Sequence, residues 1–376
     1  MGRIKKLDEK TIQKIAAGEI IERPSSIVKE LVENSLDAGS SNITIEIRDG
    51  GKSYIRVTDD GYGILHEDLE IAFNRHSTSK LSSADDLYRV MSLGFRGEAL
   101  ASISVVSRVR VLTKVEDDLL GTQVLVEEGE IIEEKPIGCP KGTTMIVNDI
   151  FYNIPVRQRF LKNHVIESNY VSDIVYKLAL GNPRVSFKYI RDGNIIFKTP
   201  RNNDLISNIY TLLGKDFSDN LLKIDYRDKD FSLFGYISNN TFHRRNRKHQ
   251  YLYVNNRYVK SEDISNLIGN KYKSLIPINK FPVFILFINL NPSYIDINIH
   301  PTKEQIKFID QQMIYEKLDH IIDETLKSSL IIPRGSFYKK KNNNDSEELP
   351  LLFEKNFVRD IKSTELDDCL YNIDEY

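Results

Sequence analysis

The chain has 376 residues, 40% of them hydrophobic, and sets 52 basic against 54 acidic side chains for a net charge of −2. That length supports a sizeable core and two or three domains at roughly 150 residues each. Near neutrality excludes a global field for nucleic acid, so any such contact must come from local basic patches.

Two distant cysteines, Cys139 and Cys369, suggest neither a disulfide framework nor a zinc site. No uninterrupted apolar run approaches the roughly 18 residues of a membrane span, and "MGRIKKLDEK" lacks the apolar core of a signal peptide. A cytoplasmic protein without membrane contact is expected. The first predicted helix is "SSIVKELVENSLDAG" (25–39). At about 3.6 residues per turn, Ile27, Val28, Leu31, Val32 and Leu36 fall on one side and Glu30, Asn34 and Asp37 on the other. Ser25 or Ser26 suits its start and Gly39 its end. Taken alone, that polar side is either a solvated acidic face or part of a site.

A hairpin follows, "NITIEIRDGG" and "KSYIRVTDD", turning at Gly-Gly. Strand-like segments recur at "SRVRVLTKV", "GTQVLVEEGEIIEE" and "TTMIVNDI", and a helical segment runs from about Pro155 through "SNYVSDIVYKLAL". After "PRNNDLISNIYTLLG" a second set of strands begins with "FSLFGYIS", "QYLYVNNRYV" and "FPVFILFINLN". The reading is mixed α/β, with a domain boundary near Gly214 and a polar linker or tail from about Pro333, where "KKKNNNDSEELP" is low in complexity.

Three further motifs stand out. "TDDGYGI" ends a strand with a carboxylate beside Gly61 and Gly63, which serves either a tight turn or the close approach of a planar ligand with an exocyclic amine. "SLGFRGEALASI" places Gly94 and Gly97 around Arg96 before a helical run, a structural glycine loop or a phosphate cradle. "KGTTM" brings another glycine and hydroxyls into a strand.

In this order, the four motifs resemble the Bergerat, or GHKL, ATP-binding fold. Within that superfamily "QKIAAGEIIERPSSIVKELVENSLDAG", "RHSTSK", "LGFRGEALASI", "FYNIPVRQRFLK", "YLYVNNRYVK" and "DINIHPTKEQIKF" resemble MutL-type mismatch repair proteins across roughly residues 1–332. The resemblance implies a GHKL ATPase sandwich over residues 1–214, then a ribosomal-protein-like α/β transducer domain over 215–332 and a tail over 333–376. It implies ATP and Mg²⁺ as ligands. Glu30 becomes the general base that activates water, and Asn34, one turn later on the same face, ligates Mg²⁺, as in-line phosphoryl transfer requires. Glu33 is the fallback base and otherwise a solvated carboxylate; Asp37 is structural.

By the same resemblance Asp59 accepts the adenine amino group, Gly61 and Gly63 make room for the base, and Thr143 approaches the adenine side. Thr78, Ser79, Lys80, Gly94, Phe95, Arg96 and Gly97 close over the phosphates, and Lys303 of the second domain reaches the γ-phosphate. Asp60 stands where the family usually has Asn, and Asn256 where it usually has Gly, a change expected to reshape that turn. ATP is expected to drive N-terminal dimerisation, with the mismatch sensor MutS, a helicase and the polymerase clamp as further partners, at the nucleoid.

A DNA surface is expected from Arg157, Arg159, Lys162, Arg244, Arg245, Arg247, Lys248 and Arg257, touching phosphates without reading sequence. No C-terminal endonuclease motif is expected in this chain, which reads as a fragment or a shortened product. Among alternatives, a sensor kinase would need a phosphoacceptor histidine helix, a setting absent around His76, His164, His243 and His300. A topoisomerase subunit would need a cleavage partner and a different lid. A non-catalytic scaffold using ATP as a conformational ligand would be separated by measuring turnover.

Overall fold

The computed structural model of the protein describes residues 7–75, 77, 97–202, 204–296 and 307–330. Helix α1 (Glu9–Ile20) starts at Asp8, whose carboxylate accepts from the Thr11 amide and hydroxyl. Helix α2 (Pro24–Asp37) begins on a proline, which has no N–H to leave unpaired there. Strands β1 (Asn42–Arg48) and β2 (Tyr54–Asp59) form the predicted antiparallel hairpin across Gly50 and Gly51.

There follow α3 (Leu69–Ala72), α4 (Ala99–Val106), β3 (Arg108–Lys114), β4 (Gly121–Glu127), β5 (Glu130–Ile137) and β6 (Gly142–Asn148). The helical segment expected from Pro155 is two helices, α5 (Pro155–Phe160) and α6 (His164–Gly181). Its break has a local cause: Leu161 is extended, and Asn163 caps a new start by accepting from the Ile166 amide. Strands β7 (Ser186–Arg191) and β8 (Asn194–Lys198) complete the first sheet, ordered β5-β4-β3-β6-β2-β1-β7-β8, with only β1–β7 parallel among these pairings.

Alternation along the strands sends Ile43, Ile45, Ile47, Val57, Val109, Val111, Val124 and Val147 into one buried layer. Helices α1, α2, α4 and α6 cover it with Ala17, Ile27, Leu31, Val106, Val171 and Val175. On α2, Ser35 is buried and Leu36 only half-buried, a shift of one position from the expected apolar stripe.

The chain continues with α7 (Leu205–Leu213), capped by Asp204, and α8 (Lys215–Asp219), whose Ile209, Leu212 and Phe217 pack in the first core. Then come β9 (Leu221–Arg227), β10 (Phe231–Ser238), β11 (His243–Arg244), β12 (Gln250–Val254), β13 (Arg257–Val259), α9 (Glu262–Lys271), β14 (Phe281–Pro282), β15 (Phe284–Leu290), β16 (Ile295–Asp296), β17 (Lys307–Phe308) and α10 (Gln311–Leu330). The second sheet runs β13-β12-β15-β10-β9.

Its central strands are buried on both faces. Tyr251, Tyr253, Ile285 and Phe287 join the first core, while Leu252, Val254, Phe284, Leu286 and Ile288 join a second one with Ile264, Ile268, Ile314, Leu318 and Ile322 of α9 and α10. Two-sided burial explains why "FILFINL" is almost continuously apolar. The described residues up to Leu326 accordingly belong to one compact unit. No described helix is long and apolar enough to cross a membrane.

Tyr253 is the pivot between the two sheets. Its ring stacks on Phe287 at 4.6 Å, its hydroxyl donates to the Lys177 carbonyl at 2.7 Å, and a Cβ on Gly181 would lie 2.6 Å from its ring. Gly181→Ala should therefore destabilise by about 1–3 kcal/mol through overpacking, and Tyr253→Phe by about 1 kcal/mol through the lost hydrogen bond. Urea unfolding of both variants measures the ranking; a larger loss in Tyr253→Phe would show that the ring contact is not the tight one.

Candidate active site

Helix α2, packed over β1 and β2 inside the first sheet, brings its charged residues together. Lys29 Nζ lies 3.4 Å from Glu33 Oε1 and 3.8 Å from Glu30 Oε1. Glu30, Asn34 and Asp37 are half-buried, whereas Glu33 is only 7% exposed. Glu33 is thus not the solvated carboxylate expected from the helical wheel. The helix turns it inward, where charge is tolerated because Lys29 and Arg257 face it.

Asp59, at the end of β2, is the best-held side chain of the site. Its Oδ2 accepts from Ser35 Oγ at 2.7 Å, and its Oδ1 from the Gly61 amide at 2.9 Å and the Thr143 amide at 3.2 Å. Ser35 Oγ also lies 3.1 Å from the Leu31 carbonyl, but its single proton serves the shorter, charged acceptor. Burial pushes the Asp59 carboxyl above its usual range, opposed by the hydrogen bonds from Ser35, Gly61, Thr143 and Ser40.

The network extends outward from there. Thr143 Oγ1 lies 3.1 Å from Thr113 Oγ1, which accepts from the Ile64 amide at 2.8 Å, and Ser40 Oγ donates to the Ser35 carbonyl at 2.6 Å. Asp60 accepts from the Ser41 and Asn42 amides and from the Asn42 side chain, at 2.7, 2.8 and 2.7 Å. Its acidic form in place of Asn is explained by these three donors, which also lower its pKa against the opposing effect of burial.

The glycines have packing reasons of their own. A Cβ on Gly61 would lie 2.8 Å from Ala38 Cβ, one on Gly63 would strike the Lys114 carbonyl, and one on Gly142 the Asp59 carbonyl. Gly63 and Gly142 also hold φ of 80° and 111°. The space beside Gly61 and Gly63 is therefore filled by protein in the direction of a side chain. Gly97 packs likewise on the Ser77 backbone. Thr78, Ser79, Lys80, Gly94, Phe95, Arg96 and Lys303 lie outside the described residues.

The expected DNA residues divide. Arg159, Lys162, Arg245, Arg247 and Lys248 are exposed. Arg157 instead donates to the Gly18 carbonyl of α1 and lies over Phe151, and Arg244 lies over Phe217 and Phe242 at 4.6 and 4.2 Å. Arg247, though exposed, donates to Asn266 at 2.7 Å.

Arg257 does not offer the exposed guanidinium expected of a DNA contact: it is 7% exposed, and burial draws its pKa down while the charges of Glu33, Asp37 and Glu30 hold it up. The neighbouring Asn256 adopts φ 65° after Asn255 at 46°, so the tight hairpin turn survives the replacement of the usual glycine. Sequence reasoning missed Ser35, Ser40, Thr113 and this placement of Arg257. Ser35 alone carried a signal, as a hydroxyl beside Asn34 at a position where the apolar stripe calls for a hydrophobe.

Between its unfolded and folded pKa, Asp59 binds its proton more tightly in the native state, so that group's contribution to stability falls as pH rises through the window. Asp59→Asn can keep the Gly61 and Thr143 bonds through its amide oxygen and donate to Ser35. The nucleotide-free variant should melt like wild type at acid pH and higher than wild type at neutral pH. Thermal unfolding across that range measures the gap; a gap of the opposite sign would mean that burial is not the dominant influence on Asp59.

Comparison with known proteins bears on this site. The family model of the histidine kinase-, DNA gyrase B- and HSP90-like ATPase matches residues 22–140, and that of the DNA mismatch repair protein C-terminal domain matches residues 209–327. The DNA mismatch repair protein MutL of Caldanaerobacter subterraneus is 44% identical over 347 residues, 92% of this chain and 59% of its own length. That of Thermoanaerobacter pseudethanolicus is 46% identical over 342 residues, 91% of this chain and 56% of its own. The chain thus spans less than two thirds of these relatives.

Among solved structures, the N-terminal domain of a DNA repair protein matches with a TM-score of 0.72 at 27% identity, covering 85% of this chain and 98% of that one. The Aquifex aeolicus MutL ATPase domain complexed with ADP matches with a TM-score of 0.56 at 28% identity, covering 73% and 94%. With the helix, strand-end and glycine motifs of the site on a mixed α/β frame, the chain belongs to the MutL family of DNA mismatch repair proteins and carries a GHKL-type ATPase domain.

Proposed function

We propose that the chain binds and hydrolyses ATP and uses the cycle to control N-terminal dimerisation and largely sequence-independent DNA binding, as a matchmaker between mismatch recognition and strand incision. The observation that carries the reading is the immobilised, half-buried carboxylate of Asp59 beside a helix that offers Glu30 and Asn34 one turn apart. Such a carboxylate is a ready acceptor for an adenine amine. The Aquifex aeolicus MutL ATPase domain complexed with ADP supports nucleotide binding by the matching domain here.

Glu30 is the base. A group that takes a proton from water must reach water, and Glu30 is half-exposed while Glu33 is buried against cations. Asn34 fits a magnesium ion held mainly by phosphates and water, because it offers one hard amide oxygen and no acidic or histidine cluster of metal-binding size stands among the described residues. Magnesium bound with the nucleotide supplies neutralisation of phosphate charge. Asp59 orients the base, Thr143 and Ser35 hold Asp59, and the lid residues with Lys303 are assigned to the phosphates by family resemblance. Residues 1–214 are the ATPase domain in this reading and 215–332 the transducer. MutS, the helicase and the clamp remain partners by resemblance, as does a place at the nucleoid.

Glu30→Ala should retain ATP binding and lose turnover by about 10²–10⁴-fold, whereas Asp59→Ala should lose binding. Calorimetric titration with ADP and steady-state phosphate release separate the two. Absence of turnover in wild type with intact ATP binding would instead support a scaffold.

DNA affinity should fall steeply with salt. Reversing Arg245 and Lys248 should flatten the slope by about 0.9 per lost phosphate contact, measured by fluorescence anisotropy on duplexes of unrelated sequence. An unchanged slope would place the DNA surface away from the β11–β12 loop.

A further inference from the structure

We propose that Phe160 is a base-stacking residue, and that the exposed face of α5 holds an unpaired DNA strand on Phe160 and the cations Arg159 and Lys162. The inference rests on the DNA-binding reading above and deepens it, from contact with phosphates alone to contact with the faces of bases.

Placement comes first. Ile154 and Leu161, which flank α5, pack against the first core. Arg157 points inward as well: it donates to the Gly18 carbonyl of α1, and a Cβ on Gly18 would strike its guanidinium. Asn153 ties the entry of the helix to the end of α4 by donating to the Val105 carbonyl at 2.8 Å. With that side engaged, Val156, Arg159 and Phe160, spaced i, i+3 and i+4, form the outward face. Val156 is 65% exposed and Phe160 78%, with Arg159 and Lys162 exposed beside them in sequence. A ring left so far in water on an anchored helix gains little from packing within the chain.

Charge comes second. From Ile150 to Ile166 the chain carries no acidic residue. The carboxylates that bracket this stretch are already engaged: Asp149 pairs with Arg108 at 3.0 Å, and Glu167 is 1% exposed and accepts from the Lys162 amide at 2.9 Å. Glu128, 3.5 Å from Asn153 Nδ2, pairs with Lys14 at 3.4 Å. Among the described residues no carboxylate pairs with Arg159 or Lys162. Two uncompensated cations thus flank an open aromatic ring.

The ligand follows from that combination. A DNA strand alternates anionic phosphates with planar aromatic bases, and an unpaired strand exposes the base faces that a duplex keeps stacked within itself. A duplex would engage Arg159 and Lys162 and leave the ring in water. Stacking tolerates any sequence, because every base has a π-face, so the contact agrees with binding that does not read sequence.

The test uses the full chain and fluorescence anisotropy at fixed salt with three probes of equal length: a homothymidine strand, the same strand with abasic sites replacing its bases, and a duplex. Phe160→Ala should lower affinity for the homothymidine strand about tenfold and leave the abasic strand and the duplex within about twofold. Its salt slope should stay at the wild-type value, because no cation is lost. Phe160→Tyr should restore the homothymidine affinity, since the ring returns. The double variant Arg159→Gln/Lys162→Gln should weaken all three probes and flatten the slope.

Because the ring is exposed, Phe160→Ala should melt like the wild type, and the tyrosine variant separates loss of the ring from local distortion. Equal losses on strand and duplex, or a wild type that binds abasic and homothymidine strands alike, would overturn the stacking role. Undiminished strand binding by Phe160→Ala would overturn it too, and would leave the ring to an acidic protein segment. A wild type that binds none of the probes would sink the DNA reading and the stacking role together, whereas duplex binding with stacking refuted would leave the DNA reading standing.

Discussion

Asp59 is an ionisable group placed where water reaches it poorly, and the surrounding chain supplies donors in place of that water. They come from three directions: a hydroxyl from α2, an amide from the turn after β2, and an amide from the start of β6. A carboxylate with so few options fixes the relative placement of all three elements. It explains why Gly142 precedes Thr143, since only a residue without a Cβ lets β6 pass close enough to the Asp59 carbonyl for the Thr143 amide to reach the carboxylate. It also gives a reason for Ser40, which ties the end of α2 back onto its own last turn through the Ser35 carbonyl.

The second sheet is built on a different constraint. Strands buried on both faces have no solvent side on which to place charge, so every polar group on them must be paired or moved to a turn. Tyr253 meets that demand by donating to α6, and Tyr272, just beyond α9, donates to the Ser238 carbonyl at the end of β10 at 2.5 Å. Burial, with Tyr251, Tyr258 and Asp173 adding to it, drives the Tyr253 hydroxyl well above the ordinary tyrosine range, so it stays a donor. Arg257 is the one cation on the β13 strand that faces inward, and the carboxylates of α2 are what make its burial tolerable.

Much of this was legible in the residues. The β1–β2 hairpin followed from alternation and Gly-Gly, and the mixed α/β class from the order of elements. Asp59 stood out by its place at a strand end beside two glycines. Other features were illegible because they depend on contacts distant in sequence. The strands "SFKYIR" and "NIIFK" are short and only half patterned, and they pair where β1 offers an edge. Nothing in "YVNNRYVK" says that its arginine turns inward, because the carboxylates that receive it lie more than two hundred residues earlier. The glycines of "DDGYG" read as a tight turn or room for a ligand, and the packing on Ala38 and Lys114 is a further reason for them that no local pattern announces.

The acidic face of α2 shows how folding separates roles that sequence leaves equivalent. Glu30 and Glu33 are the same side chain, three positions apart, and both lie within reach of Lys29. Burial distinguishes them. Inside, Glu33 needs a cation beside it, and Lys29 Nζ lies 3.4 Å away. At the rim, Glu30 meets water and has the weaker of the two lysine contacts, so its lone pairs are available. Three positions on one helix thus separate a carboxylate held beside a cation in the interior from one that water reaches.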